Sequence, residues 1–238
     1  MPERLVLWDI DGTLVRAGGV ARQLFAEAVE RVVGRAPGAL RVDMGGKTDP
    51  QIGLEILASM GLDLTDRHEH LPVVLRHLED GLAGAVDLMR AQGHVLPGVS
   101  EVLARLAPVD GSAPGPVVQT VLTGNTVTNA ATKLAAFDLD AALDLEIGAY
   151  GSDDADRLRL VPVALDRVAR LRGWSFAPEH VWVVGDTPND LACARAAGVR
   201  CVLVGTGTAP VEHLRTLGAD VVLDDLGDVD AVVELLQS

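Results

Sequence analysis

Two aspartates directly after an apolar segment are the residues best suited to chemistry in this chain. Asp9 and Asp11 follow Leu5–Trp8, whose continuous apolar run predicts a buried strand. Because an unpaired buried charge is costly, we expect both carboxylates where the strand ends, on one side of the chain. A metal ion on one and a proton on the other would relieve their repulsion and would suit phosphoryl transfer through a carboxylate nucleophile. The alternative is a strand followed by an aspartate-rich turn.

Polar residues also follow a second apolar segment, Val117–Leu122. Thr123, Gly124 and Asn125 offer a hydroxyl group, an amide and backbone N–H groups at the predicted start of a helix. This arrangement is suited to binding an anion. The same composition is also common at ordinary turns between a strand and a helix, so both interpretations stay open.

A third apolar segment, Val181–Gly185, ends in Asp186 and Asp190. If a helix begins near Pro188, both acids lie on its first turn and face the same site. With Asp9 they form a cluster of carboxylates without histidine or cysteine, which favours a hard cation such as Mg²⁺. The alternative is a helix N-terminus that favours acids, with Asp190 at the capping-box spacing.

Composition limits the classes of function. The chain has 238 residues, 48% of them hydrophobic, and a formal net charge of −14, which disfavours nucleic acid and anionic membranes as partners. We expect no signal peptide and no membrane span. Cys193 and Cys201 lack metal-ligand or redox spacing and are expected to be reduced core residues of a cytoplasmic protein. The sequence leaves the oligomeric state unknown.

The order of predicted elements indicates an α/β fold. Apolar strands alternate with helices, which is typical of a doubly wound parallel sheet, a Rossmann-like core. A block of helices interrupts the alternation after the first strand. We therefore expect a core formed by residues 1–15 and 94–238, with residues 16–93 as an inserted all-helical cap domain.

Four local predictions accompany this architecture. The sequence predicts a helical stretch over 65–91 with a break near Pro72, a short strand over 144–149, a helix over 153–172, and a surface loop over 108–116.

Together, these motifs resemble those of the haloacid dehalogenase superfamily, in particular its phosphatases with a helical cap. The Asp-x-Asp-Gly-Thr motif is matched specifically, and the others follow in the family's order. The matching segments are Asp9–Thr13, Thr123–Asn125 and Gly185–Asp190, with Leu96–Val99 similar to the return to the core, and 206–207 and 217–220 similar to the tail of phosphoglycolate-phosphatase-like members.

The resemblance implies a role for each matching residue. Asp9 would be the nucleophile, and Asp11 would protonate the leaving alcohol and then activate water. Mg²⁺ would be held by Asp9, the backbone carbonyl of Asp11 and Asp186, with Asp190 acting directly or through a water. Phosphoryl oxygens would be bound by Thr123 and by the backbone near Gly124 and Asn125.

The chain departs from the family pattern at the third motif, where a lysine is expected before the third of these strands. That segment contains Arg157 and Arg159 but no lysine. We take Arg157 as the first candidate for the missing cation, Arg159 as the second and Lys133 as a less favoured third. Both arginines could instead be solvent-facing. Lys47, in a loop resembling one that covers the substrate, could meet the substrate or solvent.

The resemblance implies an enzyme, a Mg²⁺-dependent phosphatase acting on a phosphomonoester of a small metabolite such as phosphoglycolate, through an aspartyl-phosphate. The presence of Asp11 argues against a dehalogenase and a phosphonatase. A phosphoglucomutase also uses both acids and is the main alternative. A non-catalytic binding protein on the same fold is disfavoured, because all the acids are present.

Overall fold

The chain is described by a computed structural model over residues 2–38, 42–108 and 115–238. The strands in these ranges are β1 Arg4–Trp8, β2 Val15–Arg16, β3 His94–Val95, β4 Val117–Thr123, β5 Ala149–Tyr150, β6 Val181–Gly185, β7 Arg200–Val204 and β8 Val221–Leu223. The α-helices are α1 Val20–Val33, α2 Asp49–Ser59, α3 Leu64–Gly84, α4 Val86–Gln92, α5 Val99–Leu106, α6 Val127–Ala136, α7 Leu160–Arg172, α8 Pro188–Ala197, α9 Val211–Thr216 and α10 Val229–Gln237.

A parallel sheet forms the centre of the fold, and its strand order among the described residues is β5-β4-β1-β6-β7-β8. The first strand lies between β4 and β6, with Trp8 opposite Val121 on one side and Val184 on the other. All these pairings are parallel, so the carboxyl ends of the three strands meet at one edge. The predicted doubly wound α/β core is confirmed.

Helices cover both faces of the sheet, which explains why β1 is apolar at consecutive positions. Side chains alternate between faces. Val6 and Trp8 pack with residues of α5, α6 and α10, whereas Leu5 and Leu7 pack with residues of α7, α8 and α9. Each of these four side chains is fully buried. Burial on both faces therefore holds the polar residues that follow β1 at the sheet edge.

Helices α1 to α4 lie between the two short strands β2 and β3. These strands pair antiparallel, with Val15 opposite Val95 and Arg16 opposite His94, so the chain leaves and returns at one point. The helices have a hydrophobic core of their own. It includes Phe25, Val29, Ile56, Leu57 and Leu78.

The structure corrects the predicted break in this helical segment. Helix α3 continues through Pro72, and the break falls instead at Ala85, between α3 and α4. A proline removes one backbone donor and disfavours the helical conformation of the residue before it, but tertiary packing overrides this preference here. Val74, Leu78 and Leu82 of α3 are buried on the side that faces the other helices.

Two further predictions in the core were partly wrong. Only Ala149–Tyr150 is a strand, because Leu145–Ile147 forms a 3₁₀ turn. The helix predicted from residue 153 begins at Leu160. The side chain of Asp156 accepts a hydrogen bond from the backbone N–H of Leu158, which favours a turn over an extended helix. Most of the predicted loop over 108–116 lies outside the described residues.

A glycine substitution tests the closure at β2 and β3. A methyl group on Gly93 would collide with the backbone carbonyl oxygens of Arg16 and Met89. We expect Gly93→Ala to lower the free energy of unfolding by about 1–3 kcal/mol, measured by urea denaturation. Gly84→Ala, in a position with open space, is the matched control and should be neutral or stabilising. Equal effects of both substitutions would contradict this packing.

Candidate active site

The strand ends bring three buried carboxylates together. Asp9 directly follows β1 and donates its backbone N–H to the carbonyl oxygen of Val184 on β6. Asp186 follows β6, and Asp190 lies in the first turn of α8. One carboxylate oxygen from each of the three lies within 4.8 Å of those of the other two. The parallel register of β1 and β6 therefore creates the cluster.

Tight packing of the backbone supports this cluster. Gly12 has a positive φ of 87°, and a side chain there would collide with the carboxylate of Asp186. The hydroxyl group of Thr13 donates to Asp186 at 3.2 Å. The Gly-Thr pair of the first motif therefore turns the chain sharply and orients Asp186.

The electrostatics of the cluster favour a bound cation. Burial, followed by the charges of Asp190 and Asp9, raises the pKa of Asp186 to about 8. Burial also raises the pKa of Asp9 to about 6, although the charge of Arg157 opposes the shift. Like charges held together in a buried place resist ionisation, and a divalent cation with oxygen ligands would relieve that cost. The donor set therefore fits a hard cation.

The carboxylate of Asp190 caps helix α8 and also binds Arg157 beside the cluster. Its Oδ2 accepts from the backbone N–H of Thr187 at 2.9 Å and from the Thr187 hydroxyl at 2.6 Å, which forms the capping box of α8. Its Oδ1 accepts from Arg157 at 2.5 Å. The capping-box interpretation is confirmed, and the same carboxylate also lies in the cluster, where its role as a metal ligand stays a prediction.

The two candidate arginines have different environments. Arg157 is buried and its Nη2 lies 3.2 Å from Asp9 Oδ1 as well as close to Asp190. Arg159 has a side chain that is 71% exposed and pairs with Asp154 and Asp156. Of the two, the structure therefore brings only Arg157 to the cluster.

A second cation, Lys133, contacts Asp11. Its Nζ donates to both carboxylate oxygens of Asp11, at 2.8 and 2.6 Å, and to Asn125 Oδ1 at 2.7 Å. Burial of Asp11 in the cleft would raise its pKa, but the charge and hydrogen bonds of Lys133 outweigh it and hold the pKa below its usual value. Lys133, the less favoured candidate from the sequence, therefore lies within this site and binds Asp11 directly.

The loop after β4 organises the remaining donors. Thr123 Oγ1 accepts from the backbone N–H of Asn125 at 3.3 Å and from its Nδ2 at 2.8 Å. Asn125 Nδ2 also donates to Asp11 Oδ2 at 2.7 Å. Gly124 has no room for a side chain, because the backbone of Lys47 passes directly above it. The three residues thus connect β4, Asp11 and the loop before α2.

A cavity of about 500 Å³ lies over the carboxylates. Both the sheet edge and the helical segment contribute to its walls, and the latter supplies Phe25, Met44, Lys47 and Ile52. Lys47 Nζ forms an ion pair with Glu55 at 2.6 Å. The cavity therefore combines an acidic floor with a partly apolar roof, as expected for a small ligand with one polar end.

Sequence reasoning missed Asp49 and Asn129, which are both buried beside the cavity, and undervalued Lys133. Two features of the sequence could have indicated these residues, although neither is specific. Asn129 and Lys133 are four residues apart, which places two polar groups on one face of a helix that is otherwise rich in alanine. Lys133 is also one of two lysines in the chain.

Comparisons with known proteins agree with this geometry. A family model described as HAD-hydrolase-like matches residues 159–229. The protein "Putative pyrophosphatase PpaX" of Caldanaerobacter subterraneus is 26% identical over 96% of this chain and 94% of its own length. "Phosphoglycolate phosphatase 1" of Pseudomonas aeruginosa is 29% identical over 95% of this chain and 78% of its own length.

The fold has close structural counterparts. The crystal structure of a predicted phosphatase from Clostridium acetobutylicum superposes with a TM-score of 0.69 at 15% identity, covering 98% of this chain and all of that one. The fold and the motifs are similar to those of haloacid-dehalogenase-like hydrolases, the family whose model and relatives this chain matches. The prediction of an enzyme of the phosphatase class is confirmed by its relatives. None of the helices in the described ranges could cross a membrane.

The raised pKa of Asp186 predicts a dependence of stability on pH. A carboxyl group with a raised pKa in the folded chain favours folding when protonated, so metal-free protein should lose stability as pH rises from about 4 to about 8. We expect Asp186→Asn to flatten this decline, measured by urea unfolding at pH 5 and pH 8 in EDTA. Glu234→Gln, at an exposed position of α10, is the control and should decline as the wild type does. An unchanged decline in Asp186→Asn would contradict the electrostatic description.

Proposed function

We propose that the chain is a Mg²⁺-dependent phosphatase that hydrolyses a phosphomonoester of a small metabolite through an aspartyl-phosphate, as a phosphoglycolate phosphatase does. The observation that supports it most is the placement of Asp9. Its carboxylate lies at the floor of the cavity, with Asp186 and Asp190 on one side and the cation Arg157 beside it. A nucleophilic carboxylate needs such cations to approach an anionic phosphoryl group.

The reaction has two steps in this proposal. An oxygen of Asp9 attacks phosphorus in line, the bond to the leaving oxygen breaks, and Asp11 donates the proton to that oxygen. Asp11 then takes a proton from water, which attacks phosphorus and releases Asp9 with inorganic phosphate. Lys133 and Asn125 hold the carboxylate of Asp11 at the cavity wall.

Donors around the cavity would bind the phosphoryl oxygens. Arg157 and Lys133 supply positive charge, and the hydroxyl of Thr123 and the backbone at Gly124 supply neutral donors. In the family the third-motif lysine supplies such a charge. We propose that Arg157 takes that place in this chain, because it is the cation beside Asp9, while Lys133 positions Asp11.

The carboxylates would hold Mg²⁺. Asp9, the backbone carbonyl of Asp11 and Asp186 are the ligands in this proposal, and Asp190 contributes directly or through a water because both its oxygens already accept hydrogen bonds. When bound, the ion would neutralise charge that develops on the transferring phosphoryl group. This chain's own residues supply the nucleophile and the proton transfers.

Residues 16–93 act as the cap in this proposal, with residues 1–15 and 94–238 as the catalytic core. Two observations support the division. The antiparallel pair of β2 and β3 closes the segment at its base, and the helices within it have a separate hydrophobic core. We further propose a small phosphorylated metabolite as substrate and a cytoplasmic location, in agreement with two free, buried cysteines.

Replacement of the nucleophile tests the reaction. We expect Asp9→Asn to abolish Mg²⁺-dependent hydrolysis of p-nitrophenyl phosphate, because an amide cannot form the acyl-phosphate bond. Asp87→Asn, in α4 at an exposed position, is the control and should retain the wild-type rate. Hydrolysis at an undiminished rate by Asp9→Asn would refute the assignment.

A screen of phosphorylated metabolites for phosphate release separates a phosphatase from a mutase, which converts a sugar phosphate without releasing phosphate.

The two arginines provide a matched comparison of cation positions. We expect Arg157→Ala to lower kcat/KM by about 100-fold or more, since the positive charge beside Asp9 is lost, and Arg157→Lys to lose less, since a lysine keeps that charge. Arg159→Ala should match the wild type, because that side chain is exposed to solvent. Thermal unfolding of each variant shows whether it folds. Comparable losses of kcat/KM at the two positions would contradict the assignment of Arg157.

A further inference from the structure

One buried carboxylate beside the cavity, that of Asp49, has no part in the proposed reaction. Asp49 is the first residue of α2, in the helical segment, yet it is only 7% exposed. Its partners lie across the cavity mouth on the core. Its Oδ2 accepts from the backbone N–H of Thr126 at 2.9 Å and from Asn129 Nδ2 at 2.8 Å. This buried carboxylate joins the helical segment to the core, so separation of the two would break both hydrogen bonds and expose the charge to water.

Backbone contacts surround this carboxylate. The N–H of Asp49 donates to the carbonyl oxygen of Gly124 at 2.7 Å, and the hydroxyl of Thr48 donates to the carbonyl oxygen of Ala155 at 2.8 Å. A side chain on Gly124 would collide with the backbone of Lys47. The segment from Lys47 to Asp49 therefore lies directly on the loops that carry the phosphate donors.

The opposite side of the same loop is held more weakly. Asn189, beside the acids of α8, donates to the carbonyl oxygen of Gly45 at 3.1 Å, and this contact is exposed. The bonds to Asp49 are instead buried and charge-assisted, and they lie at the N-terminus of α6, where a negative charge is favoured. Among the described contacts of this loop with the core, the carboxylate of Asp49 is the charged group that is buried and accepts two hydrogen bonds.

We propose that Asp49 is a latch and positioning residue that holds the helical segment closed over Asp9 and Asp11. Closure buries its carboxylate against Thr126 and Asn129, and opening returns the carboxylate to water. Asn129 lies one helical turn before Lys133 on α6. Asp49 therefore contacts the same helix that carries Lys133, the residue that positions Asp11. Closure and the alignment of the proton-transferring group are thereby linked.

The latch itself does not depend on the proposed function, whereas its effect on turnover does. Asp49→Asn removes the charge and leaves one acceptor oxygen, so the hydrogen bonds from Thr126 and Asn129 are no longer charge-assisted. Asn129→Asp places two carboxylates opposite each other. The double variant Asp49→Asn/Asn129→Asp restores one donor and one acceptor with the partners exchanged. Such a reciprocal exchange is a double-mutant cycle that isolates the pair from general destabilisation.

Hydrogen exchange followed by mass spectrometry on the full chain measures closure directly. We expect exchange over 48–52 and 125–129 to accelerate by about tenfold in Asp49→Asn and further in Asn129→Asp, as lost hydrogen bonds to a charged group would cause. Exchange over 5–8, in the central strand, should stay unchanged. The double variant should return both segments to near the wild-type rate. Asp80→Asn, at an exposed position of α3, is the control and should behave as the wild type.

Two results would overturn the latch. One is wild-type exchange over 48–52 in both single variants, and the other is a double variant no more protected than Asn129→Asp. Kinetics with p-nitrophenyl phosphate add a second readout, in which kcat should fall about tenfold in Asp49→Asn and recover in the double variant. If no variant and no wild type hydrolysed the substrate, the proposed function would fail while the exchange data still tested the latch.

Discussion

Repulsion among carboxylates gathered at one sheet edge is the constraint on which the site depends. Asp9, Asp186 and Asp190 are all buried, and burial together with repulsion between the carboxylates raises the pKa of Asp9 and of Asp186. Arg157 offsets part of this cost from the side of Asp9 and Asp190. A bound cation would relieve the remainder of this cost, and the three carboxylates would supply its ligands.

The two cations divide the site into two halves. Arg157 faces Asp9 and Asp190, whereas Lys133 faces Asp11 and Asn125. Asp9 and Asp11 have opposite shifts of pKa although they are two residues apart, because burial outweighs the charge of Arg157 at Asp9, whereas the charge and hydrogen bond of Lys133 outweigh burial at Asp11. An ionised nucleophile and a protonated acid require shifts in the reverse directions, so the proposed roles need a bound cation at Asp9 and uptake of a proton by Asp11 before it protonates the leaving group.

The helical segment completes the site from above. Its loop over 44–49 contacts both the β4 loop and the start of α8, and its helices supply the apolar part of the cavity wall. The core thus brings the reacting groups together, while the helical segment encloses the space in which a leaving group would sit. In the proposed latch, closure has to be strong enough to exclude water and weak enough to reverse, and the single buried carboxylate of Asp49 would meet both requirements.

The sequence by itself determined the core fold and the acidic centre. Apolar runs such as Leu5–Trp8 predict buried parallel strands, and Asp9 and Asp186 follow such runs, so local order along the chain was enough to bring them to one edge. Only the tertiary structure decided the partners of these acids. Arg157 and Lys133 are 24 positions apart, and their spacing says nothing about which carboxylate each meets. Packing of α6 and α7 on the sheet made that choice, because contacts across the chain depend on helix placement and not on local pattern.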